Sequence, residues 1–545
     1  MIDSIELCEL KINETHKLFR EKKFNHLIQC YNSIINFKNT KTDDDYSNDI
    51  SKYYSNLSYV YHLTRDFDNS LLNANKCIEL NESWYKGYYR AAKACEGLLN
   101  KELALEFYHK MRQCDLKTAT QYEQNEYHNI DISILREWLQ NEGAIINNIK
   151  IEFYDIDYRG MCIDKTVKNN EVIIQIPMNC IISLEESKTR SYNKKLIDLE
   201  AKYNSPHTYL ALELLDIKYT EGHKFQYITN CLPKYFDNVP IHFNEDKLKY
   251  LEGSFALVKI AQKKFYLEEE YNHIKNLLPE FPYSYEDFVW ARTAIITRVY
   301  AAERTLHGVP VKDTVMVPFA DMANHRIPPN THWYYDKKKD SFIVHATKYL
   351  TNGENIFESY GQKCNYRYFV NYGFTIDKNP FEEVVIITNP MISSIISTKI
   401  YINNNNILRV INNCSETFQI GYDTKSEAMK NFIECTKYKC DEIYKKENKN
   451  KTATFEEVYT FIVLLLNKSL NEFKTSTEED ENILKNQDLS FDIRNCIVQR
   501  LSEKRLLKYL IKYFSDLVKL EQIKDEKDKK KFMKKMDHKH RPPYV

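Results

Sequence analysis

The sequence predicts a multidomain α+β protein with an N-terminal all-α repeat array, a central β-fold with a helical insertion, and a C-terminal all-α domain. Three observations carry this expectation. Apolar and small residues recur with a period of about 34 residues between positions 18 and 111. Apolar and polar residues alternate from 149 to 177 around turn-forming pairs. Ile493, Ile497, Leu501, Leu507, Leu510 and Phe514 follow helical spacing near the C-terminus. At 545 residues the chain also exceeds what one hydrophobic core serves.

The array comes first. Residues 53–84 place Leu57, Tyr61 and Phe67, then Leu71, Ala74 and Ile78, at the spacing of a helix, a turn and a second helix. The next copy repeats it with Tyr89, Ala92, Leu98, Ala104, Phe107 and Met111, and Leu18, Phe24, Leu27, Tyr31 and Ile34 supply an earlier one. Three such copies over 1–128 resemble tetratricopeptide repeats. Asn56, Lys86 and Arg90 stand where the carboxylate-clamp members of that family grip a C-terminal carboxylate, cations and amide donors converging on one concave face. The first copy departs from the clamp pattern, with Ile12 and His16 in place of Lys and Asn. The resemblance implies a partner with an acidic C-terminal peptide, such as a chaperone tail ending in EEVD.

Composition narrows the function classes. The 77 basic and 77 acidic residues cancel, so no global field favours nucleic acid or an anionic membrane. Only 11 glycines argue against Gly-rich phosphate loops. The 13 cysteines form no CxxC pair and are expected as reduced, mostly buried thiols. The longest apolar run, 461–466, is far short of the roughly 20 residues of a membrane span, and the first ten residues do not read as a signal peptide. The expected location is cytoplasmic, with the nucleus also open.

Residues 117–129 read as a linker and 133–143 as a short amphipathic helix closed by Gly143, with a new domain opening near Asp131. The strand meander of 149–177 follows, turning at Arg159-Gly160 and Asn169-Asn170. Three dense segments lie further on: 315–325 (VMVPFADMANH), 354–361 (ENIFESYG) and 365–374 (NYRYFVNYGF). With Trp138, the turn at Met161, Leu232-Pro233 and Trp290-Ala291 through Thr297-Arg298, these resemble the SET-domain methyltransferases of the Rubisco large-subunit methyltransferase-like branch.

That resemblance implies a SET catalytic domain over 131–380, with a helical insert at about 188–302, and a helical substrate-binding domain over 381–520. The remaining 521–545 is expected as a basic disordered tail. The implied activity is methyl transfer from S-adenosylmethionine to a protein lysine, an in-line displacement that requires alignment and desolvation more than acid-base machinery. Tyr360 and Tyr372 would be the catalytic pair. Asp157, Arg159, Gly160, Met161, Arg298, Asn324, His325 and Phe374 would hold the cofactor, and Arg298, Tyr300 and Asp321 the substrate. The usual GxG of the cofactor loop has become Tyr158-Arg159-Gly160. No Cys lies between Cys364 and Cys414, so no metal is expected after the tyrosine segment. The actin-histidine enzymes of this branch typically lack tyrosine at the place of Tyr372; with Tyr300 also bulky, lysine is preferred over histidine as acceptor. A SET fold kept only as a scaffold is the third reading.

Overall fold

The computed structural model describes residues 11–540 except 13, 16, 20, 40–46, 115–120, 156–157, 202, 204, 307, 388–416 and 447–450. It divides into two compact units, Met1–Ser133 with Phe153–Arg159, and Ile134–Glu152 with Gly160–Val545.

The first unit is helical. Helices α1 (Phe24–Asn39), α2 (Ser47–Leu63), α3 (Phe67–Leu80), α4 (Tyr85–Gly97) and α5 (Lys101–Gln113) run in sequence, α2 packing on α3 and α4 on α5 as antiparallel pairs. The turns show a periodicity that apolar spacing alone does not reveal. Arg65 and Leu99, 34 positions apart, both take positive φ, 61° and 59°. Each is followed by an N-cap: Asp66 accepts from the Asn69 N–H and Asn100 from the Leu103 N–H, both at 3.2 Å. Leu27, Ile34, Leu57 and Val60 build one core cluster, and Tyr85, Ala92, Cys95 and Met111 the next.

Helix α6 (Gln121–Asn141) corrects the sequence reading. Residues 121–129, expected as linker, are helical and continuous with the 133–141 segment. Polarity alone does not stop a helix that lacks Gly and Pro.

Strands β2 (Ile149–Asp155), β3 (Tyr158–Ile163), β11 (Asn355–Glu358) and β8 (Asn324–His325) form a four-stranded sheet in the order β2-β3-β11-β8, of which residues 153–155 and 158–159 belong to the first unit and the rest to the second. A second sheet has the order β1-β4-β10-β9, from β1 (Ile145–Ile146), β4 (Val172–Pro177), β10 (Ser341–Ala346) and β9 (Thr331–Asp336). A third joins β5 (Ile182–Ser183), β7 (Val309–Met316) and β6 (Val299–Leu306) in the order β5-β7-β6. Strand β6 begins before 302, so the last residues assigned to the helical insert belong to a sheet. The insert contains α7 (His207–Tyr219), α8 (Phe255–Leu277) and α9 (Tyr285–Ile296), the last opened by a Ser284–Asp287 capping box.

The C-terminal region is not all-α as expected. Strands β12 (Glu383–Ile387) and β13 (Thr417–Gly421) pair antiparallel, placing Val384, Ile386 and Ile420 in a core with Met429, Phe432, Leu466 and Leu510. Around this strand pair pack α11 (Glu427–Lys446), α12 (Phe455–Asn471) and the 32-residue α14 (Phe491–Gln522), with α13 (Thr477–Ile483) packed on α14. A buried ion cluster ties α13 to α14: Asp480 takes Arg500 Nη2 at 2.7 Å and Lys504 Nζ at 2.6 Å. The disordered tail is also corrected. Residues Glu526–Lys539 form α15, with Met536 buried and His540 Nε2 2.9 Å from Asp516 Oδ2. A charged helix is held here by one apolar anchor and ionic contacts to α14.

Candidate active site

The site forms where two segments distant in sequence become neighbours. Strand β11 pairs antiparallel with β3 through Asn355–Cys162 and Ile356–Met161, and parallel with β8 through Phe357–Asn324 and Glu358–His325. That register sets the 354–361 segment beside 320–325. The Tyr360 N–H donates to His325 Nδ1 at 3.0 Å, and its hydroxyl to the Ala323 carbonyl at 2.8 Å.

Helix α10 (Asn365–Tyr372) supplies the opposing wall. Tyr368 and Tyr372, one turn apart, share a face of it. The helix stops at Gly373, whose φ is +78° and whose N–H closes on Phe369 O at 2.9 Å. Glycine is required there, since a Cβ would lie 2.7 Å from the backbone oxygen of Asn238. The turn carries Phe374 back to the rings. Centroids lie 5.0 Å apart for Tyr360–Tyr372, 5.1 Å for His325–Tyr360, 4.9 Å for His325–Tyr368 and 5.1 Å for the stacked Tyr368–Phe374 pair.

Electrostatics follow from enclosure. Burial, reinforced by the nearby Glu358 charge, pushes the Tyr360 phenol well above its ordinary value, so it stays protonated. Burial raises Tyr372 as well. It pushes the His325 imidazole down to about 4, hydrogen bonding to the Glu358 backbone carbonyl offsetting only part, and the ring is neutral. His325 Nε2 is enclosed with no hydrogen-bond partner among the described residues.

Behind the rings, the Tyr300 hydroxyl lies 2.9 Å from Glu358 Oε1 and 3.2 Å from the Ala320 carbonyl. Glu358 is 5% exposed. Burial, with Asp321 adding to it against the Tyr300 hydrogen bond, pushes its carboxyl up to about 8. Arg298 Nε stands 3.5 Å from Asp321 Oδ2. The turn bearing Asp321 is strained: Phe319, fully buried, has φ +69°, an arrangement costing on the order of 1–3 kcal/mol. The Arg136 guanidinium, 4.9 Å from its ring centroid and donating to Ile149 O at 2.6 Å, covers it.

The structure therefore brings together Tyr360, Tyr372, His325 and Phe374 in one ring cluster, with Asn324 on the strand beside them. Tyr300, Arg298 and Asp321 stand in the chain segments flanking it. Gly160 and Met161 lie on β3, next to β11. Asp157 lies outside the described residues, and Arg159 is on β3 in the first unit. In that unit Asn56 is exposed on α2, Lys86 and Arg90 are half-buried on α4, and the Arg90 guanidinium lies 4.2 Å from the Tyr59 ring centroid, one turn beyond Asn56. Glu358 and Tyr368 escaped the sequence reading. A signal existed for Glu358, because strand alternation puts it on the same inward face as Ile356.

Residues 158–361 match the SET domain family model, and residues 407–507 match the model described as Rubisco LSMT substrate-binding. The chain carries a SET domain. Over 417 residues it is 23% identical to the actin-histidine N-methyltransferase of Plecturocebus moloch, covering 69% of this chain and 67% of that protein. The human actin-histidine N-methyltransferase matches over the same length at 22%. Among solved structures, the SET domain of LSMT bound to lysine and AdoHcy superposes with a TM-score of 0.57 at 19% identity, covering 73% of this chain and 94% of that one. Rubisco LSMT bound to AdoMet gives 0.55 at 18%, covering 71% and 92%. The SET domain's ring cluster and the C-terminal helical region thus sit within a Rubisco LSMT-like fold.

Proposed function

We propose that this protein is an S-adenosylmethionine-dependent protein-lysine N-methyltransferase. The observation that carries the reading is the convergence of Tyr360 and Tyr372 on one side and the buried Tyr300–Glu358 pair on the other within a SET domain. The residues present fit the cofactor: His325 Nε2 is enclosed without a hydrogen-bond partner among the described residues, Phe374 and Tyr368 offer flat apolar faces, and Arg298 offers a guanidinium for a carboxylate. When bound, S-adenosylmethionine supplies an electrophilic sulfonium methyl group. Asn324, His325, Phe374 and Arg298 would hold it.

The chain's own groups do the rest. Tyr360, its hydroxyl fixed on the Ala323 carbonyl, presents a lone pair toward the acceptor without ionising. The enclosing rings disfavour an ammonium ion, so the lysine amine, ordinarily protonated to about pH 10.4, is encouraged to attack as the free base. Behind them the Glu358 carboxyl, hydrogen-bonded to the Tyr300 hydroxyl, holds a proton within the wall.

The alternative is a protein-histidine methyltransferase, favoured by the names of the curated relatives. The bulk of Tyr372 and Tyr300 speaks for lysine. In this reading the N-terminal array has the tetratricopeptide form and recruits the target, or a chaperone carrying it, in the cytoplasm or nucleus. Transfer of labelled methyl from S-adenosylmethionine into a lysate of the source organism, comparing wild type with Asn324→Ala and mapping the acceptor by mass spectrometry, tests the assignment. Labelled lysine lost in the variant supports it, labelled histidine moves it to the alternative, and no acceptor despite cofactor binding leaves a scaffold.

A further inference from the structure

On the side of α10 away from the ring cluster lies a cleft of about 430 Å³. Its walls are α10, α8, α9 and the start of α7. Tyr366, Arg367, Val370 and Asn371 face it, while Tyr368 and Tyr372, about half a helical turn away, face the methyl-transfer site. The two spaces share a helix and not their lining.

The cleft is charged in one sense. Lys259, Lys263, Arg292 and Arg367 all line it, and the one carboxylate lining it is Glu270. Glu270 is already engaged: Thr208 Oγ1 donates to its Oε2 at 2.8 Å, and Arg292 Nη2 lies 3.6 Å from the same oxygen. Arg367 leans outward, with Glu383 3.5 Å from its Nη2. Lys263 Nζ reaches only neutral acceptors, Val370 O at 3.0 Å and Asn371 Oδ1 at 3.4 Å. His207, also on the wall, is pushed down to about 4 by burial and adjacent cations and carries no compensating charge.

The unsatisfied atoms have one polarity. Arg292 Nε and Nη1 and Gln262 Nε2 are enclosed without hydrogen-bond partners among the described residues, and Gln262 is 4% exposed. All three are donors, so what the cleft lacks is an acceptor. Enclosing cations without anions is costly, and burial together with Arg292 pushes the Lys263 ammonium down to about 7. Structural packing would be served as well by apolar residues at these positions. Tyr266 and Tyr366 add aromatic surface, and the volume lies within the range of small-ligand sites.

We propose that this cleft binds a small phosphate-bearing ligand of up to about nucleoside-monophosphate size, held by Lys259, Lys263 and Arg292 and separate from the methyl-transfer site. Phosphate supplies several acceptors and a compact charge, which suits a guanidinium with two free N–H edges and two ammonium groups. The inference does not rest on methyl transfer.

Isothermal titration calorimetry of the full chain with pyrophosphate and with uridine monophosphate, both lacking the adenine of the methyl donor, tests it in the presence of saturating S-adenosylhomocysteine. The expected result is 1:1 binding of at least one probe, weakened about tenfold or more by Arg292→Gln and by Lys259→Gln. Lys259 is the less enclosed group, so its variant keeps the test open if Arg292→Gln fails to fold. Mass-spectrometric acylation of lysines provides a second readout: Lys259, the less enclosed lysine of the cleft, should be acylated in the free protein and protected by the probe. No binding at millimolar probe, binding unaltered in Lys259→Gln, or unprotected Lys259 overturns the proposal.

Discussion

The Tyr300 hydroxyl lies 2.9 Å from a Glu358 carboxyl that sits two residues before the central tyrosine of the site. The pair places a protonatable group in the wall behind the rings, close enough to Asp321 to feel its charge. Glu358 with its pKa near 8 keeps its proton in the fold at neutral pH, whereas in the unfolded chain it would lose it near 4.5.

The sign of the linkage follows directly. Between about pH 4.5 and 8 the native state binds one more proton than the unfolded state at this position, so its stability contribution is complete below the lower value and is lost as pH rises through the upper one. Glu358→Gln removes that slope. Urea denaturation of wild type and Glu358→Gln at pH 5, 6, 7 and 8 should show the variant gaining relative stability with pH, about 3–4 kcal/mol across the range. A constant difference would mean that Glu358 is ionised in the fold.

Tyr360→Phe removes one hydroxyl and no ring. Because the phenol is fixed on the Ala323 carbonyl and the aromatic stack with His325 and Tyr372 is retained, turnover should drop by about 10² while cofactor affinity stays near wild type. Single-turnover rates with calorimetric cofactor titration separate the two effects. Equal losses in both would make Tyr360 a binding residue.

What was legible in the sequence, and what was not, divides by the range of the interactions. Tyr360, His325 and Phe374 could be read because each lies in a short segment whose neighbours constrain it. Glu358 sat in the same segment and was passed over, although alternation with Ile356 already turned it inward. The β12–β13 pairing was missed because Glu383 pairs with Gly421, far along the chain, and no local signal reports such a partner. Helix α15 was read as a solvated tail because lysines dominate it; Met536 and the His540–Asp516 contact are what dock it. The cationic cleft could not be foreseen, since Lys263, Arg292 and Arg367 come from three helices.

Gly373→Ala should damage the site through geometry. The residue would keep φ +78° only at the cost of left-handed strain, and its Cβ would press on Asn238. Strain and overpacking together amount to about 2–4 kcal/mol. Thermal unfolding should show a clear drop in Tm, and activity should fall beyond what lost stability explains, because Phe374 follows directly and loses its register with Tyr368. Asn238→Gly in the same chain should not restore activity, because the backbone oxygen of Asn238 still lies 2.7 Å from the added Cβ.

The helical array offers a prediction independent of the chemistry. Arg90 on α4 stacks on Tyr59, one turn from Asn56 on α2, which brings the guanidinium beside the helix that carries the amide. Lys86→Ala and Arg90→Ala should each weaken binding of an acidic C-terminal peptide about tenfold, in a salt-dependent manner, as loss of a charge-assisted contact does. Methyl transfer to a short peptide acceptor that lacks the tail should be untouched, since neither residue belongs to the SET domain. Fluorescence polarisation with an EEVD-ended peptide and with the same peptide amidated at its C-terminus checks this. If amidation leaves wild-type affinity unchanged, the α2–α4 face reads something other than a carboxylate.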